Sequence, residues 1–400
     1  MLVTTNVDPV AKIKVVGIGG GGCNAINTMI TDYDISGVDF MAFNTDAQAL
    51  KMSQAPTTLQ LGEELTKGLG VGGNAQMGAQ AAEESLDQIQ ELLEGANMVF
   101  ITAGMGGGTG TGAAPIIAGV ARNLGALTVA VVTKPFDFEG SKRREIAEEG
   151  IADLKDKVDT LIVVPNQRLL EIVSDNENIS FIDAMKKVDS VLAEGVNSIS
   201  NLISKTGYIN ADFNDAKSVM QNAGTALMGI GRASGENRAE EAARAATTSP
   251  LLDMSIEGAT GVLYNIVGAN LSLQEISKVS DLIKEAVDAS ANIKFAAQID
   301  PEAEDELVIT IVATGFDENK QVYTNQLRGK ETIPSIRNFG FDTTTPQVSD
   351  TPVDDTLESF DDKNVAEAED INEDDLFDSV NTEDIDSDDP LDVPAFMRKK

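Results

Sequence analysis

Two glycine-rich segments are the part of this 400-residue chain best suited to binding a phosphorylated ligand. Residues 17–22 read GIGGGG, and residues 103–112 read AGMGGGTGTG. Glycine has no Cβ atom, so several backbone N–H groups can converge on one anion, and a following helix adds the positive end of its dipole. Thr109 and Thr111 add hydroxyl donors. Two such loops after neighbouring predicted strands suit a diphosphate or a triphosphate.

The first loop also has a second interpretation. Gly17, Gly19 and Gly22 match the pattern G-x-G-x-x-G, and Asp39 lies about twenty residues further on, which together are typical of NAD-linked oxidoreductases. That interpretation leaves residues 103–112 without a role. The chain has no GxxxxGK[ST] motif, so the phosphate-binding lysine of the common nucleoside triphosphatases is absent.

The composition excludes several kinds of catalyst. The chain has no histidine and a single cysteine, Cys23, so Ser–His–Asp and Cys–His catalysts, histidine metal sites and internal disulfides are excluded. The formal net charge of −35 disfavours nucleic acid as a partner, because phosphates are bound by lysine and arginine. No apolar run approaches the roughly 20 residues of a membrane helix, so we expect a cytoplasmic protein without direct membrane insertion.

The acidic charge is concentrated near the C-terminus. Residues 350–392 contain 19 acidic residues and one basic residue, Lys363. Such a segment buries too little apolar surface to offset the entropy of ordering, so we expect a disordered acidic linker at 317–390. Residues 391–400, LDVPAFMRKK, combine apolar side chains with three cations, which predicts a peptide that docks on partner proteins. We also expect a flexible N-terminus at 1–11.

Short β-branched apolar runs alternate with helical stretches in the first half of the chain. This alternation predicts an α/β fold with a parallel sheet, in which ligands bind at the carboxyl ends of the strands. The predicted strands are residues 12–18, 38–43, 97–102, 127–133 and 160–164, and the predicted helices are residues 24–30, 79–93 and 112–123.

One long helix is predicted after the fifth strand. Apolar residues recur every three or four positions between residues 179 and 203, and Ser180 and Asp183 form a capping-box pattern at its start. Beyond this helix, a second α/β unit is predicted from residues 224–231, 238–246, 272–289 and 306–315.

Three motifs together resemble the FtsZ family of tubulin-like cell-division GTPases. They are GGGGCN at residues 19–24, GGGTGTG at residues 106–112 and DVPAFMRKK at the end of the chain. The resemblance implies a tubulin/FtsZ-like fold. Its parts would be a Rossmann-like parallel-sheet GTPase domain at 12–178, a long central helix at 179–205 and a second, GTPase-activating α/β domain at 206–316.

The resemblance also implies a function. The chain is expected to be a GTPase that assembles head to tail, as a homopolymer, into filaments of the bacterial cell-division ring. GTP would be hydrolysed to GDP at the interface between subunits, with Mg²⁺ as the metal. The filaments would lie at the division site beneath the inner membrane, and residues 391–400 would dock on membrane-anchoring and regulatory division proteins.

The phosphate-binding residues follow from the family motifs. Asn44 and Asp46 match a loop near the phosphates and magnesium, and Gly72 and Gly73 match the loop that senses the γ-phosphate. Cys23 lies at a helix N-terminus, where its thiol pKa is expected to be lowered, and we expect it to be tolerated rather than catalytic. The resemblance assigns the phosphates to Gly20, Gly21, Gly22, Cys23, Asn24, Gly107, Gly108, Thr109 and Gly110.

The resemblance assigns the ribose and base to Glu139, Arg143, Asn166 and Asp189. A carboxylate such as Asp189 can accept from guanine N1–H and from the exocyclic amine, a pair of donors that adenine lacks. Without the family, a charged residue on this mostly apolar helix would be interpreted as part of a solvent-exposed face. Met185 departs from the family, because relatives often carry an aromatic ring one turn before the base-reading carboxylate.

Asn210, Asp212 and Asp215 would form the hydrolytic group, acting on the GTP of the neighbouring subunit. Two carboxylates and an amide can polarise a water molecule for phosphoryl transfer. Their spacing alone favours a simpler interpretation, an N-terminal helix cap. A further alternative is a non-hydrolysing filament or plasmid-partition relative of the same fold, which would lack this acidic pair or the C-terminal motif.

Overall fold

The computed structural model describes residues 11–316, apart from residues 34, 36, 170–179, 205–208, 210, 250, 251, 253 and 254. The predictions for residues 1–10, for the linker at 317–390 and for the terminal peptide lie outside the described residues, as does Asn210. The predicted α/β fold, with a parallel sheet, a long central helix and a second α/β unit, is confirmed within the described part.

Ten strands form one continuous sheet in this described part of the chain. They are β1 (Ile13–Ile18), β2 (Val38–Asn44), β3 (Thr57–Gln60), β4 (Met98–Gly104), β5 (Leu127–Lys134), β6 (Thr160–Pro165), β7 (Gly224–Ser234), β8 (Gly261–Gly268), β9 (Asn292–Ile299) and β10 (Glu306–Thr314). Their spatial order is β3-β2-β1-β4-β5-β6-β7-β10-β8-β9. The strands from β3 to β7 pair in parallel, whereas β10 runs antiparallel to both of its neighbours.

Helices cover both faces of the parallel part of the sheet. The helices of the described part are α1 (Gly19–Asp32), α2 (Ala47–Lys51), α3 (Glu63–Thr66), α4 (Ala75–Glu84), α5 (Leu86–Leu93), α6 (Thr109–Asn123), α7 (Ser141–Lys155), α8 (Phe181–Ser204), α9 (Phe213–Met220), α10 (Arg238–Thr247) and α11 (Leu273–Ala286). Of these, α10 packs instead on β7 and β10, and α11 packs on α10.

Successive residues of the central strands enter different cores, because side chains alternate across a sheet. Phe100 of β4 joins the core that also contains residues of α1 and α8, and its neighbour Ile101 joins the core that contains residues of α4, α5, α6 and α7. Both side chains are fully buried. Such burial on both faces explains why these strands are almost continuously apolar.

The central helix α8 follows β6 in the chain and packs against the sheet. Its 24 residues give it a length of about 36 Å. A Cβ atom at Gly195 would lie 3.1 Å from Met228 Sδ of β7 and 3.4 Å from Val131 Cγ1 of β5, so the helix backbone approaches the sheet closely at this point. Arg232 of β7 adds an ion pair, with its Nη2 atom 2.7 Å from Glu194 Oε1 of α8.

The five predicted strands of the parallel region are present, with shifts of one or two residues at their ends. The helix predicted at 24–30 begins earlier, at Gly19, where glycine adopts a φ of +70°. The helix predicted at 79–93 is two helices, α4 and α5, that meet at Ser85, whose hydroxyl accepts from Gly62 N at 3.0 Å. Strands β3, β8 and β9 were not predicted; β3, with the sequence TTLQ, lacks a recognisable apolar pattern.

Candidate functional site

The predicted ligand-binding loops follow the carboxyl ends of adjacent parallel strands. Ile18 at the end of β1 is opposite Ala103 of β4, and Gly104 at the end of β4 is opposite Thr133 of β5. Lys134 of β5 is in turn opposite Pro165 at the end of β6. The segments after these strands therefore meet along one edge of the sheet, as the sequence predicts.

The two glycine loops touch each other through their backbones. A Cβ atom at Gly19 would lie 2.9 Å from Gly110 N, and one at Gly21 would lie 3.3 Å from Gly104 N. Side chains at these positions would push the loops apart. The glycines are therefore needed for the loops to form one continuous backbone surface.

Two helix N-termini lie side by side on this surface. Neither α1 nor α6 has a side-chain cap or an acidic residue in its first turn. Helices α2 and α4 differ, because Asp46 Oδ1 accepts from Gln48 N at 2.8 Å and Asn74 Oδ1 accepts from Met77 N at 3.1 Å. The first N–H groups of an uncapped helix lack partners within the helix, so the paired starts of α1 and α6 suit an anion.

The loop predicted to sense the γ-phosphate packs on the second glycine loop. A Cβ atom at Gly108 would lie 2.5 Å from Val71 Cγ2 and 3.0 Å from the carbonyl carbon of Gly73. By contrast, Cβ atoms at Gly20 or Gly72 would meet no heavy atom within 4 Å. Gly20 thus borders the open side of the backbone surface that the two glycine loops form, the predicted phosphate cradle. Gly108 lies in the contact between the second glycine loop and residues 71–74.

Thr45 was not among the predicted site residues. Its hydroxyl oxygen lies 2.6 Å from that of Thr109, and both side chains are buried. Asn44 is buried beside it and accepts from Asp46 N at 3.3 Å. A hydroxyl residue between two predicted site residues, directly after a strand, was the signal that could have identified Thr45.

The prediction of a lowered pKa for Cys23 is wrong. The side chain is buried, and burial raises the pKa of its thiol to about 12, although a hydrogen bond with Asn44 acts in the opposite direction. Its Sγ atom lies 3.8 Å from Gly17 O and 3.9 Å from Phe43 O. Desolvation dominates here, because the thiol faces the protein interior rather than the open side of the loop.

Glu139 and Arg143, which are predicted to contact the ribose and base, form an ion pair with each other. Arg143 Nη1 lies 3.0 Å from Glu139 Oε2, and Glu139 Oε1 accepts from Phe136 N at 2.8 Å. Asn166 is buried, and its Oδ1 atom has no hydrogen-bond partner in the part of the chain that the structure describes. Because buried polar atoms are nearly always paired, this oxygen fits a ligand that brings a hydrogen-bond donor.

Asp189 lies on α8 and is half-buried rather than on a fully solvent-exposed face. Burial raises the pKa of its carboxyl group from 3.8 to about 7. Met185, one turn earlier on the same face, packs against the core that includes residues of α1. The Tyr33 hydroxyl donates to Ser190 O at 3.3 Å and ties α8 to the segment after α1.

Asp212 and Asp215 form the helix cap that their spacing favours. Asp212 Oδ1 accepts from Asp215 N at 2.7 Å, and Asp215 Oδ2 accepts from Asp212 N at 3.1 Å. The Nζ atom of Lys294 lies 2.8 Å from Asp215 Oδ1. This hydrogen bond is the main reason that the pKa of Asp215 lies below its usual value.

The acidic pair does not lie with the glycine loops. Helix α9, which Asp212 caps, spans about 12 Å and ends at Met220. The carbonyl of Met220 accepts from the hydroxyl of Thr160, the first residue of β6. The C-terminal end of α9 therefore lies beside the amino ends of the parallel strands, and the acidic pair itself contacts β9, whereas the glycine loops follow the carboxyl ends of the parallel strands.

A cleft of about 750 Å³ lies between α4, α6 and α7. It shares Gly73, Thr111 and Gly112 with the loops described above, but Gly20 and Gly108 do not line it. The cleft is therefore beside the phosphate cradle and separate from it. No described helix combines the length and apolar character needed to span a membrane.

The chain matches two families of known domains. Residues 12–174 match the Tubulin/FtsZ family, GTPase domain, and residues 224–317 match the FtsZ family, C-terminal domain. The first match lies over the glycine loops, and the second covers β7 to β10.

Solved structures give the same result. The chain is 45% identical to FtsZ from M. jannaschii in an empty dimer, with a TM-score of 0.73, over 77% of this chain and 89% of that one. A mutant of the same FtsZ also matches at 45% identity and a TM-score of 0.73, over 77% and 92% of the two chains. GDP-bound CetZ1 from Haloferax volcanii is 20% identical, with a TM-score of 0.68 over 80% and 100% of the chains, and shares the fold.

Proposed function

This chain belongs to the FtsZ family of tubulin-like GTPases, and on that premise we propose that it assembles head to tail into filaments of the bacterial cell-division ring. It binds GTP and GDP as a GTPase of this family, so the NAD-linked interpretation of the first loop is set aside. In the proposal, Asn210, Asp212 and Asp215 of one subunit act on the GTP of the next.

The observation that carries this proposal is the separation of the two halves of the site within one subunit. The glycine loops follow the carboxyl ends of the parallel strands, whereas the helix that Asp212 caps ends beside the amino end of β6 and the acidic pair contacts β9. Joining the acidic pair of one subunit to the glycine loops of the next would complete the site. A contact between unlike surfaces repeats without closing and extends into a filament.

The residues predicted to bind the nucleotide suit a guanosine triphosphate. The uncapped starts of α1 and α6 would bind the phosphates, and Glu139 and Arg143 would contact the ribose and base. Asn166 Oδ1, which lacks a partner among the described residues, and the carboxylate of Asp189 would read the guanine edge. Gly72 and Gly73 would move when the γ-phosphate leaves.

Mg²⁺ would bind together with the phosphates. Nucleotide sites hold Mg²⁺ through the phosphates and one or two protein oxygens. Asn44, the last residue of β2, and Asp46, two residues further on, would supply these oxygens, and the ion would neutralise phosphate charge.

The filament would act in the cytoplasm at the division site, beneath the inner membrane. Residues 391–400 would dock on membrane-anchoring and regulatory division proteins. The support for this part of the proposal is the combination of apolar side chains and three cations at the end of the acidic segment.

The proposal is tested by substituting Asp212. We expect Asp212→Ala to bind GTP with unchanged affinity and to lose turnover by about 10²-fold or more, because the removed group acts on the neighbouring subunit. A matched control is Asp87→Ala, which removes another exposed carboxylate from the start of a helix, α5. Phosphate release is measured against protein concentration, and sedimentation or light scattering records assembly.

A site completed by two subunits requires a threshold protein concentration below which wild-type turnover is negligible. Turnover proportional to concentration from the lowest values upward would contradict the proposal, as would an active Asp212→Ala variant. Asp87→Ala should keep both the threshold and the rate.

A further inference from the structure

Both carboxylate oxygens of Asp215 are bound within the subunit. Oδ1 lies 2.8 Å from Lys294 Nζ, and Oδ2 accepts from the backbone N–H of Asp212 at 3.1 Å. Asp212 differs, because its Oδ2 atom makes no hydrogen bond among the residues described. The two acids of the proposed catalytic pair are therefore not equivalent: Asp212 presents an available oxygen, and Asp215 is held in place.

Lys294 belongs to β9, which runs alongside the segment that carries the acids. At one end Ala297 N donates to Ile209 O at 3.0 Å, and at the other Asn292 Nδ2 donates to Ser218 Oγ at 3.4 Å. The Lys294–Asp215 contact lies between these two. Strand β9 therefore contacts both the residues that precede α9 and α9 itself, and Lys294 supplies the charged contact.

The alternation of β9 directs Lys294 toward α9. Phe295, the next residue, packs with Tyr264 on the other face of the sheet, at a ring-centroid distance of 5.4 Å. Ala296, on the same face as Lys294, joins the core that contains Ala216 and Val219 of α9. The lysine position is therefore determined by the strand register rather than by a mobile loop.

The charge balance of the proposed interface favours a cation in addition to the proposed Mg²⁺. The phosphate loops, residues 19–24 and 104–110, contain no lysine or arginine. Two carboxylates brought against a triphosphate would repel it, and the repulsion would grow as water is excluded from the contact. A lysine beside the acids offsets part of this charge.

We propose that Lys294 is a positioning residue for GTP hydrolysis, which holds Asp215 and offsets the charge of the acidic pair where it meets the GTP of the neighbouring subunit. This inference rests on the proposed hydrolysis between subunits. In a free subunit the pair is about one-third exposed on each side and contributes little to folding stability. Its effect belongs to the assembled state, in which the contact is desolvated.

The test compares Lys294→Met and Lys294→Arg with a matched control, Lys278→Met. Lys278 also forms an exposed ion pair, with its Nζ atom 2.8 Å from Glu240 Oε2, on helices of the second domain. The measurements are turnover per assembled subunit at saturating GTP, the Kd for GTP below the assembly threshold, and the midpoint of thermal unfolding.

We expect Lys294→Met to lower assembled turnover by about tenfold, with an unchanged Kd and unfolding midpoint, and Lys294→Arg to restore most of it. A purely structural role would lower the unfolding midpoint as well as the turnover.

Wild-type turnover in Lys294→Met, or an equal loss in Lys278→Met, would overturn the inference. Asp212→Ala in the same assay separates this result from a failure of the proposed function. If Asp212→Ala is inactive and Lys294→Met is fully active, hydrolysis between subunits stands and the role of Lys294 is wrong. If Asp212→Ala is active, the proposed function itself fails.

Discussion

The hydroxyl oxygens of Thr45 and Thr109 lie 2.6 Å apart, between the loop that follows β2 and the first residue of α6. Thr66 extends this contact, because its hydroxyl donates to Thr45 O at 3.3 Å. These buried threonines connect three segments around the glycine loops. The start of α6, a predicted phosphate-binding element, is therefore held by side chains as well as by its own helix.

Thr45→Val is expected to destabilise the protein. The valine has nearly the same shape but leaves the buried hydroxyl of Thr109 without this partner, at a cost of about 1–3 kcal/mol. For a chain of this size the unfolding midpoint should fall by about 2–6 °C, measured by calorimetry without nucleotide. Thr45→Ser is the control, since it keeps the hydroxyl. Equal midpoints for the valine and serine variants would show that the contact contributes nothing.

Gly20→Ala should weaken GTP binding, whereas Gly108→Ala should lower folding stability. A methyl group at Gly20 meets no protein atom within 4 Å, so the variant should fold normally and lose GTP affinity by about tenfold or more, because the methyl obstructs the approach of phosphate to the loop. At Gly108 the methyl would lie 2.5 Å from Val71 Cγ2 and 2.9 Å from Asn74 N, so we expect a loss of about 1–3 kcal/mol in stability.

Unfolding midpoints without nucleotide and GTP titrations distinguish the two glycine variants. The interpretation of the cradle would be wrong if Gly20→Ala bound GTP like the wild type. It would also be wrong if Gly108→Ala left the unfolding midpoint unchanged.

GTP affinity should increase with pH around neutrality. Burial raises the pKa of Asp189 to about 7, so in the nucleotide-free protein the carboxyl group is mostly neutral at pH 6 and mostly ionised at pH 8. Guanine N1–H and its amine require the ionised acceptor, so the Kd for GTP should fall about tenfold between these pH values. Calorimetric or fluorescence titration with GTP measures this change.

Asp189→Asn is the control for that titration, because it should weaken GTP binding and remove most of its pH dependence. The pH dependence of folding stability has the opposite sign to that of GTP affinity. A carboxyl group whose pKa is raised on folding makes the nucleotide-free protein less stable as pH rises from about 4 to about 7. Asp189→Asn should therefore raise the unfolding midpoint at pH 8. An unchanged pH dependence of binding in this variant would assign the effect to another group.

Cys23 should resist alkylation in the folded protein. With a pKa of about 12, only ~10⁻⁴ of the thiol is ionised at pH 8, compared with about a tenth at the ordinary value of 9.0. We therefore expect iodoacetamide to react about 10³-fold more slowly with the native protein than with the protein in denaturant. Mass spectrometry of the modified fraction over time gives both rates. Equal rates would mean that the thiol is accessible and its pKa unshifted.

The parallel strands and central helix were predictable because their patterns are local. A buried strand such as β4 reads as an apolar run, and α8 shows the helical period over its whole length. Strands β3, β8 and β9 were missed. β3 is a short edge strand that pairs on one side with β2, so its sequence carries little apolar pattern.

The candidate site was only partly predictable, because only some of its features are local in the sequence. Glycine loops and threonines identify a phosphate site by residue type, since few other residues permit such close approach of backbones. The burial of Cys23 and the raised pKa of its thiol were not predictable, because packing decides whether a thiol at a helix start faces the open side of the loop or the interior. The Lys294–Asp215 contact joins residues 79 positions apart, and no local pattern links them.

By itself, the sequence determined which residues could approach a phosphate and in what order strands and helices follow one another, because backbone freedom and apolar periodicity are properties of short segments. Tertiary structure decided that the helix capped by Asp212 ends beside the amino end of β6 while the glycine loops follow the carboxyl ends of the strands, that Asp189 is desolvated and that β9 holds Asp215. Each of these depends on strand order and on burial by distant segments, and both arise only when the whole chain packs.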